Sequence, residues 1–259
     1  VGCLDPFAKV AGRGIRKLRD AGIEVTVGVL EDKCLELNRR FMTFQTCRRP
    51  YVSLKWAESA DGFIDRLRAD GCGERPYRFS SDYTQMLTHR YRAAHQAVLV
   101  GTGTALADDP ALTNRLWPGP SPLRLVLDRR GRLPHDLKLF DGSAPTRVYV
   151  DSKTAAPDYA GRPGVTCVPV DFDGGMVLKE VMNDLYALSV QTLLVEGGKQ
   201  LLDSFISDGL WDEIRIEQTD VFLNEGVPAP VRPRGRVELS ESDGHKLIRI
   251  WSPVRHFVP

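Results

Sequence analysis

Five short apolar runs punctuate the middle of the chain: residues 97–100, 123–128, 146–151, 165–170 and 192–196. Each is about one strand long, and an unbroken run such as Ala97-Val98-Leu99-Val100 implies burial on both faces. The segments between them are long enough for crossovers, and Met176 to Leu188 carries helical spacing. This succession demands a parallel sheet flanked by helices. Further helices are expected at Ser80–Ala94, capped by Ser80 or Ser81, and at Gly198–Asp208. Tyr51–Trp56 reads as an additional strand, ending in the turn Ser59-Ala60-Asp61-Gly62. Residues 65–77, charged and glycine-rich, read as a mobile loop. After Gly209 four segments, Glu213–Glu217, Gly235–Leu239, Lys246–Trp251 and Val254–Val258, read as antiparallel strands. The fold class is therefore α/β: a mixed, mostly parallel sheet with helices on both faces, closed by late antiparallel strands.

The opening residues read differently. Gly12–Ala21 has a short amphipathic helical pattern stopped by Gly22, Ile23–Val29 alternates as a strand, and Leu30–Phe41 returns to helical spacing. Thr43–Pro50 is polar and basic, as in a linker. Val1 to Pro6 reads as the end of a strand entering a turn, so the chain is expected to begin inside a structural element. This α-β-α piece is too short to bury a core of its own.

Charge and cysteine content narrow the function. With 35 Lys+Arg against 34 Asp+Glu the net charge is +1, far from the basic excess that phosphate neutralisation requires of a nucleic-acid binder. No stretch approaches the roughly 18 apolar residues of a membrane span. Five cysteines with no C-x-x-C spacing suit a reducing cytoplasm better than a disulfide framework or a zinc knuckle. The five histidines form no metal-binding pair.

Two segments point to chemistry. In Leu193-Leu194-Val195-Glu196-Gly197-Gly198-Lys199 a buried strand ends in an acid, and two glycines lead into a helix. The glycines permit close backbone approach, and a helix N-terminus offers unpaired N–H groups to a phosphate. A bare strand–helix turn explains the same residues equally well. In Val98 to Pro110 a second buried strand delivers the turn Gly101-Thr102-Gly103-Thr104 and then Asp108-Asp109. Leu106 spoils a dinucleotide fingerprint there, as Lys17 does after Gly12-Arg13-Gly14. On local grounds Asp108-Asp109 is a helix cap with a solvated acid, and Arg90, Arg92 and Arg115 flank the segment.

Together the motifs resemble a known family. Pro50 through Gly62, Arg92 through Thr113 and Val195-Glu196-Gly197-Gly198 are similar, in order and spacing, to the reductase domain of the bifunctional riboflavin-biosynthesis deaminase–reductase, over roughly residues 48–220. Asp5 through Gly14 and Gly28 through Phe41 resemble the closing part of its deaminase domain, whose zinc motifs H-x-E and P-C-x-x-C do not occur in this sequence. The resemblance divides the chain into a deaminase remnant, 1–46, and a reductase domain, 47–259, and no deamination is expected of this chain.

The resemblance implies a dihydrofolate-reductase-like fold, the cofactor NADPH and reduction of 5-amino-6-(5-phosphoribosylamino)uracil, with a hydride added at ribose C1′. It places Glu58, Arg78, Thr104, Asp108 and the stretch Gly198, Lys199, Gln200, Leu201, Leu202, Asp203 and Ser204 on the cofactor. It places Arg92, Leu112, Arg115 and Glu196 on the phosphorylated substrate. Lys55, Asp108 and Glu196 become the catalytic candidates, any of which could move the proton. Asp109 stays structural, serving the Asp-Pro turn. A cytoplasmic homodimer is implied, with neither nucleic acid nor membrane as partner and zinc confined to the absent deaminase part.

Two departures stand out. Pro76 and Arg78 replace a serine and a tryptophan, and Thr219 to Pro230 replaces an Ala-Pro-Lys-Leu-Leu-Gly run. Two other readings remain open: a pteridine reductase of the same fold, which would not need Arg92 and Arg115 for a ribose phosphate, and a non-catalytic dimerising scaffold, which would not need Lys55, Asp108 and Glu196.

Overall fold

A computed structural model describes residues 1–7, 10, 12–68 and 76–251. The chain separates into two units: residues 1–51 with 182–191, and residues 52–181 with 192–253.

The smaller unit begins with α1 (Arg13–Asp20), followed by α2 (Glu31–Leu37) and α3 (Arg39–Cys47). The strand expected at Ile23–Val29 does not form. Its backbone instead meets the start of the chain, Gly28 N–H donating to the Val1 carbonyl at 3.0 Å, and Ile23 and Val29 stay half exposed with no ladder to cover them. The single helix expected over Leu30–Phe41 breaks at Asn38, where φ is −99° and ψ 13°, and Leu37 before the break faces solvent instead of the apolar side that the helical spacing predicts. The first part of the expected linker, up to Cys47, is helix instead: α3 buries Met42, Thr43 and Phe44, and the Phe44 ring lies 4.8 Å from that of Tyr186.

The larger unit holds β1 (Tyr51–Glu58, its first residue counted with the smaller unit), β2 (Phe63–Asp65), α4 (Asp82–Ala93), β3 (Ala97–Gly101), α5 (Thr102–Asp108), β4 (Leu123–Leu127), β5 (Thr146–Asp151) and β6 (Val165–Val170). It continues through α6 (Val177–Ala187, its residues from 182 on counted with the smaller unit), β7 (Thr192–Val195), α7 (Lys199–Ser207), β8 (Glu213–Gln218), β9 (Val227–Pro228), β10 (Arg236–Ser242) and β11 (His245–Trp251). Nine strands form one sheet in the order β10-β11-β8-β1-β7-β3-β4-β5-β6. The run from β7 to β6 is parallel throughout. The sheet is thus the mixed, mostly parallel one that the apolar runs imply. Its core packs Val98, Val100, Val126, Val148 and Leu194 against Leu139, Phe140 and Tyr159.

Three local readings need correction. The strand β8 is not antiparallel throughout, for it lies parallel to β1, Leu54 opposite Ile214, and only its other edge is antiparallel, to β11. The Gly101–Thr104 turn is the first turn of α5, with Gly101 as its extended N-cap. Ser59–Gly62 does turn, but it returns as β2, which pairs with β9. The expected strand Val254–Val258 and part of the 65–77 loop lie outside the described residues. No helix among those described is long and apolar enough to cross a membrane.

Candidate active site

Parallel strands end together, so the side chains and helix starts that follow them gather at one edge of the sheet. Here a cavity of about 1220 Å³ opens over the carboxyl ends of β1, β7, β3 and β4, lined among others by Lys55, Arg92, Gly101, Asp108, Glu196 and Gly198. A pocket for one drug-sized ligand is usually about 300–1,000 Å³, so the space suits two adjacent ligands.

Glu196, the residue after β7, is the centre of this wall. Both of its oxygens accept from one guanidinium: Arg92 Nε donates to Oε1 at 2.8 Å and Nη2 to Oε2 at 2.7 Å. Each side chain of the pair is only 11% exposed. Burial alone would raise the Glu196 carboxyl, but the Arg92 charge and hydrogen bonds, with Lys55 and His89 nearby, hold it below the ordinary glutamate value. The third Arg92 nitrogen, Nη1, donates to the Thr113 carbonyl at 3.1 Å. Arg115 Nη1 donates to Thr113 Oγ1 at 2.6 Å, and the Arg115 side chain remains accessible in the cavity.

Asp108, the last residue of α5, has the opposite tendency. Desolvation pushes its carboxyl up to about 6, Arg68 opposes the shift and Asp65 adds to it. It lines the cavity and remains accessible to water. Two carboxyls thus share a cavity with their proton affinities driven apart, an arrangement that lets one hold charge while the other holds a proton.

The start of α7 supplies a different kind of subsite. Its N-cap, Gly198, is extended and no side chain caps the helix, so its first N–H groups point out with the positive end of the helix dipole. A Cβ on Gly197 would sit 2.5 Å from Leu201 Cδ2 and 3.1 Å from Leu201 Cβ, and one on Gly198 3.2 Å from Thr104 Oγ1. Gly197 thus leaves room for Leu201 of α7 itself, and Gly198 lets the helix start approach Thr104 of α5. An uncapped helix start, the Thr104 hydroxyl and Lys199 together fit the pyrophosphate of a dinucleotide.

Most residues singled out in the sequence reach the cavity: Lys55, Arg78, Arg92, Thr104, Asp108, Arg115, Glu196, Gly198, Lys199, Gln200, Leu201 and Ser204. Others are placed elsewhere. Glu58 is buried, accepting from Trp56 Nε1 at 2.7 Å and Gln218 Nε2 at 3.2 Å and pairing with Arg232. Leu112 and Leu202 are core residues, and Asp203 pairs with Lys199 along α7. Arg78 lines the cavity but bridges Asp82 and Gln85, both at 2.8 Å. Asp109 accepts from Lys138 N–H at 2.8 Å.

Residue-level reading missed His89, which lines this cavity, and Glu217, which lines a second cavity beside it. His89 is buried one helical turn before Arg92 and accepts the Arg115 N–H at its Nδ1, 2.9 Å away. Desolvation, then the charges of Arg92 and Arg115, depress its basicity. The i, i+3 spacing on α4 could have signalled it. Glu217 on β8 is also buried. Ser80 Oγ donates to its Oε2 at 2.7 Å and Thr84 Oγ1 to its Oε1 at 2.6 Å, and His245 Nδ1 lies 2.9 Å from Oε1. No sequence signal marks Glu217, because its partners come from two other elements.

A buried ion pair, an acid of raised proton affinity and an uncapped helix start line one cavity at the carboxyl edge of a parallel sheet, the place where α/β proteins of this architecture take their ligands. Residues 50–232 match the RibD C-terminal domain, and the chain belongs to that family. It is 35% identical, over 88% of its length, to the riboflavin biosynthesis protein RibD of Aquifex aeolicus, and spans 62% of that protein. It is 34% identical, over 78% of its length, to an Archaeoglobus fulgidus protein described as 2,5-diamino-6-ribosylamino-4(3H)-pyrimidinone 5′-phosphate reductase, of which it covers 94%. Among solved structures, the deaminase/5-amino-6-(5-phosphoribosylamino)uracil reductase of Thermotoga maritima superposes with a TM-score of 0.81 at 30% identity, covering 97% of this chain and 70% of that one.

Proposed function

We propose that this chain is the NADPH-dependent reductase of riboflavin biosynthesis, converting 5-amino-6-(5-phosphoribosylamino)uracil to the phosphoribityl compound. The observation that carries this reading is the position of Glu196. It is clamped by Arg92 and stands beside Lys55, and the Gly197-Gly198 helix start follows it directly, so acid–base groups and a phosphate subsite share one wall. When bound, the cofactor supplies a hydride to ribose C1′. The start of α7, with Gly198, Lys199 and Thr104, would hold its pyrophosphate. Arg115 would meet the substrate phosphate, since the Arg92 fork is turned to Glu196.

The protein's own contribution is charge and proton management. Glu196, held ionised, stabilises the positive charge that develops as the open sugar becomes imine-like. Asp108, whose raised proton affinity keeps it protonated up to about pH 6, delivers its proton to the ribityl nitrogen. Lys55, half-buried between carboxylates, orients the reacting end of the substrate. We further propose that residues 1–46 are the closing part of a deaminase domain, that the protein works as a cytoplasmic homodimer, and that its substrate partner is a phosphorylated ribosylaminopyrimidine.

The test is to mix the protein with NADPH and the phosphoribosylaminouracil and follow the reduced nicotinamide absorbance. Oxidation is expected with that substrate and not with dihydrofolate; the reverse outcome removes this reading. Glu196→Gln is expected to abolish turnover while leaving NADPH affinity within about twofold, as loss of a charge needed only in the transition state should.

A further inference from the structure

Lys55 and Glu217 lie on neighbouring parallel strands in a register that brings their faces together. Lys55 is opposite Arg215 and Ala57 is opposite Glu217. Because strand side chains alternate, Lys55, Arg215 and Glu217 all emerge on one face. That face is covered by α4, whose Thr84 reaches Glu217 at 2.6 Å. Arg215 is committed elsewhere, paired with Glu213 and set 4.1 Å from the centre of the Tyr91 ring. Beyond it a second cavity of about 340 Å³ is lined by both Lys55 and Glu217, while Lys55 also lines the main cavity. Lys55 therefore stands at the junction of the two spaces, with Glu196 on one side and Glu217 on the other.

Glu217 is 4% exposed, and a buried carboxylate is costly unless its charge is used or compensated. Two hydroxyls and the His245 ring satisfy its lone pairs, but hydroxyls are neutral, and the imidazole is cationic only when protonated. Among the described residues, the fixed cation whose charge lowers it is Lys55, which also acts on Glu196, where Arg92 acts more strongly. Burial by itself would raise the Glu217 carboxyl, yet Lys55 and these hydrogen bonds leave it lowered.

We propose that Glu217 is a positioning residue for the reduction: it holds the Lys55 ammonium between two carboxylates and so fixes the cation that faces the substrate. It touches neither substrate nor cofactor and acts through Lys55 alone. This inference rests on the reductase reading for its catalytic consequence, but the electrostatic link itself exists without turnover.

The experiment uses the full chain and has two arms. In the first, trace labelling with acetic anhydride is read by mass spectrometry, with exposed Lys179 as internal standard. Glu217→Gln keeps size and one of the two accepting oxygens but loses the charge, so acetylation of Lys55 should rise on the order of tenfold relative to Lys179. Glu217→Asp, which keeps the charge, should label at a rate nearer the wild type. Equal labelling of Lys55 in the wild type and Glu217→Gln overturns the proposal, as does Glu217→Asp labelling as fast as Glu217→Gln. In the second arm, Glu217→Gln should lower kcat about tenfold with the KM for NADPH unchanged, and should have no further effect in a Lys55→Arg background. Additive losses in the double variant overturn the proposal, because a merely structural role would add. Faster labelling with no wild-type turnover would remove the reductase reading and leave the Glu217–Lys55 link standing.

Discussion

Among single side chains, the two acids of the cavity carry opposite pH signatures. Glu196 is held below the 4.5 of an ordinary glutamate, so its ionised form stabilises the fold above about that pH, and the contribution is lost as pH falls through its lower folded value. Asp108 is raised from 3.8 to about 6, so its ionisation opposes folding, with no effect below 3.8 and the full effect above about 6. Asp108→Asn should therefore stabilise the protein against urea at pH 8 and leave its stability unchanged at pH 3.5. Turnover has the same origin. With Asp108 as proton donor, wild-type kcat should fall as pH rises past about 6. Asp108→Asn should turn over slowly with that limb gone, which a pH–rate profile will read. A retained limb would assign the proton elsewhere.

At the scale of elements, the start of α7 and the β4–β5 connection each depend on one residue. Gly197→Ala would drive a methyl group into Leu201, and Leu201 Cβ cannot swing aside as a side-chain tip can. The helix start must then shift, and NADPH affinity should weaken about tenfold, a misplacement effect of the usual size, measurable by fluorescence titration. Arg124 is wholly buried on β4, where it donates to the carbonyls of Lys138 and Ala144 and to Asp141. Arg124→Met would strand these acceptors and should cost about 3 kcal/mol in urea unfolding. Elements whose signal is local were legible in the sequence: the apolar strands β3 to β7, the Ser81-capped α4 and the Gly198 start of α7. The helix α5 was not, because Gly101, Thr102 and Gly103 are poor helix formers, and what holds its first turn is distant, Thr102 Oγ1 donating to the Leu127 carbonyl. The alternation of Ile23–Val29 misled for the opposite reason: it carried a strand pattern with no partner strand to complete it. In the site, the glycine-flanked Glu196 and the arginines were visible, whereas the Arg92–Glu196 clamp joins residues 104 positions apart and needs the folded sheet to appear.

For the whole molecule, the division of the chain does not follow one cut in the sequence. Residues 182–191 group with residues 1–51, and Phe44 packs on Tyr186. Deleting residues 1–46 would uncover that ring and forfeit the burial of Met42 and Phe44, about 2–3 kcal/mol for each fully buried side chain. The truncated protein should melt roughly 5–15 °C lower, as scanning calorimetry will show. An unchanged Tm would mean that the opening residues add nothing to the rest.

The parallel pairing of β1 with β8 also has a consequence during synthesis. Val52 N–H donates to Asp212, 160 residues later, and at about 5–20 residues per second the ribosome needs roughly 8–30 s to deliver that partner. Throughout that interval the strand carrying Lys55 is on a nascent chain without one of its sheet neighbours, its apolar face open to chaperones and to other unfinished chains. The wall that would carry out the reduction is therefore not flanked on both sides until β8 has been made.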